Sequence, residues 1–389
     1  MSTQPKIVDI AIIGAGASGL MLASHLKNRS ILLIDANPVI GAKLKISGGG
    51  RCNITNKFMN SDFFDGNISF INQVLTNFTT SDLLNFLEKY NLKPTIENKS
   101  VNGQYFCKSS SEIIDVFAKS TKHVNFMMNT KVLKVDKNGH FKITTDKDTI
   151  AADILIVASG GISYPILNSS TIGYEIAKLF GHTIIETKPA LVGLSVQKEQ
   201  FWMKELSGIS LPVIIEIGNK NINGDLLFTH KGISGPAVLN ASLYWQKGHI
   251  TIDFLPFSTI QNMLKDKNKQ ISTQLNLPKN FTKAFLLHIG MEDKQIAKLK
   301  KVEIEKLETL KKYPLSPAGT FGYSKAEVTK GGVSTEEIDA KSMESKLCKN
   351  LYFIGECLNV TGSLGGYNLH WAFSSALTCS KKLKLKYIK

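Results

Sequence analysis

Arginine is almost missing from this sequence. Among 47 basic residues in a chain of 389, only Arg29 and Arg51 are arginines. Cysteine is scarce too: Cys52, Cys107, Cys348, Cys357 and Cys379 are odd in number and form no CxxC pair, which excludes a disulfide framework and gives no sign of a zinc or other metal site. No run of about 18 charge-free apolar residues stands outside a glycine-patterned stretch, so no spanning helix and no membrane partner are expected. The apolar start Ile10–Leu26 has Lys6 alone as a preceding basic residue, a poor signal sequence, and the expected compartment is the cytoplasm. With 43% apolar and 20% charged residues the composition is that of a globular protein, and the length allows roughly two to three domains.

The charge is one-sided. The formal net value is +15, a balance that fits a polyanionic partner such as nucleic acid. Biased codon usage explains the same balance, because the chain is also rich in Ile and Asn, and both readings stand at this level. Lysine is concentrated in Phe257–Lys312, with 12 Lys against 6 acidic residues, and in the tail Lys381–Lys389, with five Lys and no acid.

Val8–Ile13 is a short apolar run, Gly14-Ala-Gly16-Ala17-Ser-Gly19 opens a helix reaching about Lys27, and Ile31–Ile34 is the next run, closed by Asp35. Strand, glycine turn, helix, strand and a following acid are the parts of a βαβ dinucleotide-binding unit. Gly14 permits the tight turn, Gly16 leaves room for a pyrophosphate and Gly19 lets the helix lie close to the sheet. The helix N-terminus then faces the phosphates with unpaired N–H groups, and Asp35 accepts from the ribose hydroxyls.

Helices are expected at Ser81–Tyr90 and Ser110–Lys119. Strands are expected at Asn129–Val135, His140–Thr145 and Asp153–Ala158, the first two joined by a hairpin at Lys137-Asn138-Gly139. The last strand runs into Ser159-Gly160-Gly161, a second place for close backbone approach. Short β runs fill about 189–256, a lysine-rich helical segment covers about 257–312, and Leu351–Ile354 is a buried strand before Gly355-Glu356. A helix follows from about Asn368 to Lys384.

One stretch is more specific than any of these. Gly41-Ala-Lys43-Leu-Lys-Ile-Ser-Gly-Gly-Gly50-Arg51-Cys52-Asn-Ile-Thr-Asn56 resembles the signature of the BaiN/RdsA-like family of FAD-dependent oxidoreductases. Thr229-His230-Lys-Gly-Ile-Ser-Gly-Pro236, Glu327–Val333, Met343–Lys346 and Gly355-Glu356 with Gly365-Gly366-Tyr367-Asn368-Leu369 match it in order along nearly the whole chain. The resemblance implies an α/β architecture: a Rossmann-like FAD-binding domain of the two-dinucleotide-binding-domain flavoprotein type, made from residues 1–188 and 327–389 and interrupted by a β-rich plus helical insert, 189–326.

It also implies non-covalent FAD at Gly14, Gly16, Ala17, Gly19, Asp35, Lys43, Gly50, Arg51, Cys52, Val132, Ser159, Gly160, Gly355, Glu356, Gly366, Tyr367, Asn368 and Leu369. Val132 would serve the adenine through its backbone, Glu356 the ribityl or pyrophosphate region, and the 366–369 N–H groups the flavin O2 side. Ala42, Cys107 and Asn359 depart from the family pattern. Arg51 reads as a bidentate contact to the cofactor or as a loop anchor, Cys52 as a redox thiol or proton donor or as a packed cysteine, and His230 as a general acid or a turn residue. Tyr323 and Lys330 are weaker candidates of the same kind.

A single GxGxxG implies that NAD(P)H binds transiently as reductant. The family reduces C=C bonds of two kinds, uracil in ribosomal RNA and small enones. The basic insert and tail favour ribosomal RNA as partner, with a small-molecule reductase or oxidase, and a flavoprotein without turnover, as the alternatives. Oligomeric state is not legible.

Overall fold

The computed structural model describes residues 6–97 and 101–385. They divide into two units, Met1–Lys188 with Val328–Lys389, and Pro189–Glu327.

The first unit is built on a seven-stranded sheet. Its centre is β1 (Lys6–Ile13), whose Ile10–Ile13 stretch is buried on both faces, as an unbroken apolar run in a parallel strand should be. β1 is flanked in parallel by β2 (Ile31–Ile34) and by Thr149–Val157, and Asn125–Met127 extends the sheet beyond β2. The strand Thr149–Val157 changes partner along its length. Its first half pairs antiparallel with His140–Thr145, and its second half pairs parallel with Leu351–Phe353. A segment from late in the chain thereby lies in the same sheet as β1.

Helix α1 (Ala17–His25) is buried at every residue from Ser18 to Ser24, which explains why its apolar residues form no single stripe. It ends at His25, two residues before the expected Lys27, because Leu26 is already extended. Helices Thr80–Glu88 and Ser110–Ser120 begin at side-chain caps, a Thr79/Asp82 capping box and Ser109. The expected strand Asn129–Val135 is not one strand. Asn125–Met127 and Val132–Asn138 replace it, broken where Asn129 takes φ +52° and Thr130 N–H donates to the Asp35 carbonyl at 2.9 Å; asparagine tolerates that left-handed backbone.

The long helix Tyr367–Leu385 is buried without interruption from His370 to Ser380 and packs on α1. Within it His370 is fully enclosed. Its Nδ1 lies 2.9 Å from Thr55 Oγ1 and its Nε2 3.1 Å from the Phe78 carbonyl. The carbonyl can only accept, so Nε2 carries a proton. Burial pushes the His370 pKa down to about 4, against about 6.5 for an unfolded histidine. The unfolded chain therefore takes up this proton first. The stabilising contribution is complete above about pH 6.5 and is lost as pH falls towards 4, a cost of about 3 kcal/mol over that window. Urea titrations at pH 7 and near pH 4.5 should show it, and His370→Gln should flatten the pH dependence. Equal slopes in both proteins would place the acid sensitivity elsewhere.

The second unit carries its own seven-stranded antiparallel sheet, in the order Tyr313–Leu315, Ile250–Asp253, Ser210–Ile217, Lys220–Thr229, Gly232–Ser234, Leu194–Val196, Pro317–Thr320. Phe228, Phe254, Phe281, Phe285 and Tyr313 fill its core, with Trp202 packed beside them. The segment 257–312 is less helical than expected. It breaks into Ile260–Met263, Ile271–Gln274, Lys279–His288 and Lys301–Leu307, with Pro278 capping the third. Among the described residues no helix is long and apolar enough to cross a membrane, and no group of His, Cys, Asp and Glu could hold a metal ion.

Candidate dinucleotide site

Three glycines shape the β1–α1 turn, each against a different neighbour. Gly14 has φ +113°, and a Cβ there would meet the Ala158 carbonyl oxygen at 2.3 Å. A Cβ on Gly19 would meet the Gly14 carbonyl oxygen at 2.0 Å. Gly16 differs: a Cβ would touch nothing within 4 Å, and its φ of −87° suits any residue. Nothing in the protein explains a glycine at 16, whereas a bound group against the backbone would. Gly16 is also the N-cap of α1 and supplies no side-chain cap, leaving the first-turn N–H groups for an anion.

Asp35, half-buried at the end of β2, braces this turn. Its Oδ2 accepts from Ala15 N–H at 2.6 Å, and its Oδ1 from Asn37 N–H at 2.7 Å and Asn37 Nδ2 at 3.0 Å. A carboxylate with two oxygens accepts about four hydrogen bonds, so capacity for ribose hydroxyls is left. Asp35→Ala should weaken dinucleotide binding about 10- to 150-fold, the equivalent of about 1.5–3 kcal/mol for a charged hydrogen bond. It should also loosen the apo protein, since three donors lose their acceptor. Titration of flavin fluorescence together with a melt of the apo form separates the two effects, and unchanged affinity would remove Asp35 from the site. Val132 begins its strand two residues after Thr130, whose N–H binds the Asp35 carbonyl.

The opposite wall comes from distant parts of the chain. Gly355 lies against α1, where a Cβ would meet Ser18 Oγ at 2.6 Å. The Trp371 indole N–H holds the Gly355 carbonyl at 3.1 Å, and Ser375 Oγ accepts from Gly355 N–H at 2.9 Å. Glu356 then receives Lys43 Nζ at 2.8 Å and Thr329 N–H at 2.9 Å, while Lys43 also donates to Ser163 Oγ at 2.7 Å. Gly160 follows the strand Thr149–Val157 with φ +71°, and a Cβ there would approach Glu356 Oε2 at 3.9 Å. Close contacts thus link Gly14 to the end of the strand Thr149–Val157, Asp35 to the β1–α1 turn, Gly355 to α1, and Lys43 and Gly160 to Glu356, near the strand ends where open α/β sheets bind their ligands.

A sequence profile of the HI0933-like protein Rossmann domain matches residues 8–382. The chain belongs to this family. It is 35% identical to the ribosomal RNA dihydrouridine synthase of Escherichia coli K12, over 96% of this chain and 98% of that one. It is 36% identical to the protein of that name from Haemophilus influenzae, over 95% and 96%. A 3-dehydro-bile acid delta(4,6)-reductase from Clostridium scindens is 30% identical over 94% and 96%. Among solved structures, an open flavocytochrome c3 fumarate reductase has the same fold, with a TM-score of 0.50 at 14% identity, covering 99% of this chain and 79% of that one.

As an HI0933-like protein the chain is expected to use the family's signature residues at the flavin, and the structure gives several of them other partners. Arg51 forms a two-nitrogen ion pair with Glu97 and lies 4.8 Å over the Phe106 ring. Cys52 is wholly buried, opposite Cys107, whose N–H donates to the Cys52 carbonyl at 3.4 Å. The facing Cys52 sulfur and burial both push the Cys107 thiol up, which keeps it protonated and donating. With no exposed surface, the Cys52 sulfur has the environment of a packed cysteine, one of the two readings its sequence allows.

Other expectations fare differently. Gly366 tolerates no Cβ, which would lie 2.4 Å from the Thr55 carbonyl oxygen. The helix starts at Tyr367, whose ring stacks on Phe63 at 4.6 Å. Asn368 spends its side-chain amide on Gly362, accepting from its N–H and donating to its carbonyl, both at 2.8 Å, and Leu369 packs on the core. These side chains leave the backbone N–H groups of the helix start as the part that can face a flavin. His230, in the second unit, is exposed, and the turn it occupies is held by Thr229 Oγ1. Lys330 pairs with Asp65 at 2.9 Å.

Proposed function

We propose that this protein is an FAD-dependent reductase that saturates the C5=C6 bond of a uracil in ribosomal RNA, with NAD(P)H as the electron source. The observation that carries the reading is full-length identity of 35% and 36% to two proteins named as ribosomal RNA dihydrouridine synthases. The bile acid reductase, at 30%, supports C=C reduction in general and makes a small enone the second reading. A cytoplasmic location accords with such a substrate.

Bound FAD would supply hydride transfer. The chain's part is to hold and polarise it. Gly14, Gly16, Ala17 and Gly19 present backbone and the α1 N-terminus to the pyrophosphate, and Asp35 takes the adenosine ribose, with Val132 beyond it for the adenine. Glu356, positioned by Lys43, Thr329 and Ser163, meets the ribityl or pyrophosphate region, with Ser159, Gly160 and Gly355 as the walls beside it. The backbone N–H groups at 366–369 lie at a positive helix end suited to charge on the flavin ring. Reduction also needs a proton at the second carbon, for which Cys52 and His230 are the candidates. RNA would be held by lysines of the segment 257–312 and of the tail, of which Lys386 and Lys389 lie outside the described residues.

Mapping ribosomal RNA from a deletion strain by mass tests this reading. One uridine should lose the two added hydrogens of dihydrouridine, and the purified protein with FAD and NAD(P)H should restore them. An unchanged map, with flavin reoxidised by a neutral enone and not by ribosomal RNA fragments, would select the small-molecule reading.

A further inference from the structure

At the C-terminal end of α1 the first unit has an open hollow of about 430 Å³ that the cofactor site does not use. Its wall combines lysines and rings from three parts of the chain. Lys27 follows α1, Phe86, Lys89 and Tyr90 come from the end of helix Thr80–Glu88, and Lys384 comes from the end of helix Tyr367–Leu385. The His25 and Phe86 rings lie 4.8 Å apart, and Tyr90 meets Phe86 edge-on at 5.5 Å.

The lysines are concentrated and unneutralised. No carboxylate lines the hollow, and among the described residues Lys27, Lys89 and Lys384 make no ion pair, whereas neighbouring Lys93 binds Glu88 at 2.8 Å. His25 registers all three at once. Burial pushes its pKa down, the hydrogen bond to Met21 O opposes this, and the ammonium groups of Lys384, Lys89 and Lys27 lower it further, with Met21 O and Ser24 Oγ at 3.0 and 2.8 Å from its Nδ1. Lysines at helix C-termini are favourable in themselves. That accounts for each singly but leaves unexplained why three ends converge around the half-buried rings of His25 and Tyr90.

We infer that this hollow is a contact site for single-stranded RNA, with phosphates between Lys27, Lys89 and Lys384 and a base against Tyr90. Basic groups tracking the backbone beside an aromatic platform are the means by which proteins hold single strands without reading sequence. The inference rests on the ribosomal RNA reading for its partner. The site is set apart from the cofactor: α1 has nine residues, so the hollow lies roughly 13 Å along its axis from the Gly16 end.

The test measures binding of a single-stranded uridine oligonucleotide across a salt series. For wild type, log K should fall linearly with log salt. Lys27→Ala, Lys89→Ala and Lys384→Ala combined should make the slope shallower by about 0.7 per phosphate released, and weaken binding on the order of 5-fold per phosphate at 0.1 M salt. Tyr90→Ala should leave the slope and lower affinity at every salt concentration by about 5- to 150-fold, the 1–3 kcal/mol of one stacked base. Flavin content and melting temperature should match wild type in both variants. Unchanged slope and affinity in the triple variant, or no binding by wild type, overturns the site. Dihydrouridine formation is scored separately. If it occurs while the triple variant binds as wild type does, the hollow fails and the activity stands; if it does not occur while the slope still changes, the activity fails and the hollow stands.

Discussion

Replacing Gly16 by Val should give a folded protein without flavin. A Cβ at 16 meets no protein atom within 4 Å, and the local backbone is extended, so the apo fold should tolerate the change. The volume it fills is the one through which a pyrophosphate approaches the α1 N-terminus. Displacing that group forfeits at least two charged hydrogen bonds of about 1.5–3 kcal/mol each, roughly a 10²- to 10⁴-fold loss of affinity. The purified variant should be colourless and melt like apo wild type. Gly19→Ala is the contrasting case. Its Cβ runs into the Gly14 carbonyl at 2.0 Å, so it should lower stability with or without cofactor. A yellow Gly16→Val protein would show that the turn is not the phosphate site.

Trp371→Ala should be the most destabilising of the single substitutions considered. The side chain is 1% exposed and packs near Phe64 and Phe70, and deleting a buried tryptophan costs about 3–5 kcal/mol. The loss reaches the cofactor site because the indole N–H holds the carbonyl of Gly355, the residue before Glu356. Trp371→Phe keeps most of the volume and removes that hydrogen bond, for about 1 kcal/mol. Denaturant midpoints give the stability term and flavin titration the site term. If Trp371→Phe binds flavin as wild type does, the indole contributes packing alone.

The parts of the site legible in the sequence are those whose cause is local. Gly14, Gly16, Gly19 and Asp35 lie within a short stretch whose periodicity and turn chemistry prescribe the β1–α1–β2 unit, and the structure places it within a residue or two of expectation. What was not legible depends on partners far along the chain. Arg51 reads equally as a cofactor contact or a loop anchor, because its partner Glu97 lies 46 residues away. Cys52 reads as a lone thiol until the antiparallel pairing of Asn53 with Phe106 sets Cys107 opposite it. The strand break at Asn129 follows from a bond to the Asp35 carbonyl that no propensity encodes. The three-lysine hollow assembles residues 27, 89 and 384, which only the packing of three helix ends brings together.

The split strand Thr149–Val157 has a consequence for how the protein is made. Its second half waits for Leu351–Phe353, about 190 residues later in synthesis. At roughly 5–20 residues per second, the ribosome leaves that β edge unpaired for about 10–40 s, long enough for an open edge to recruit a neighbouring chain. Pro189–Glu327, contiguous in sequence, emerges within that interval and is free to fold, while the Rossmann unit stays incomplete. Glu356 and the helix at Tyr367 leave the ribosome later still. The hazard during translation is set by the speed of elongation through the second unit.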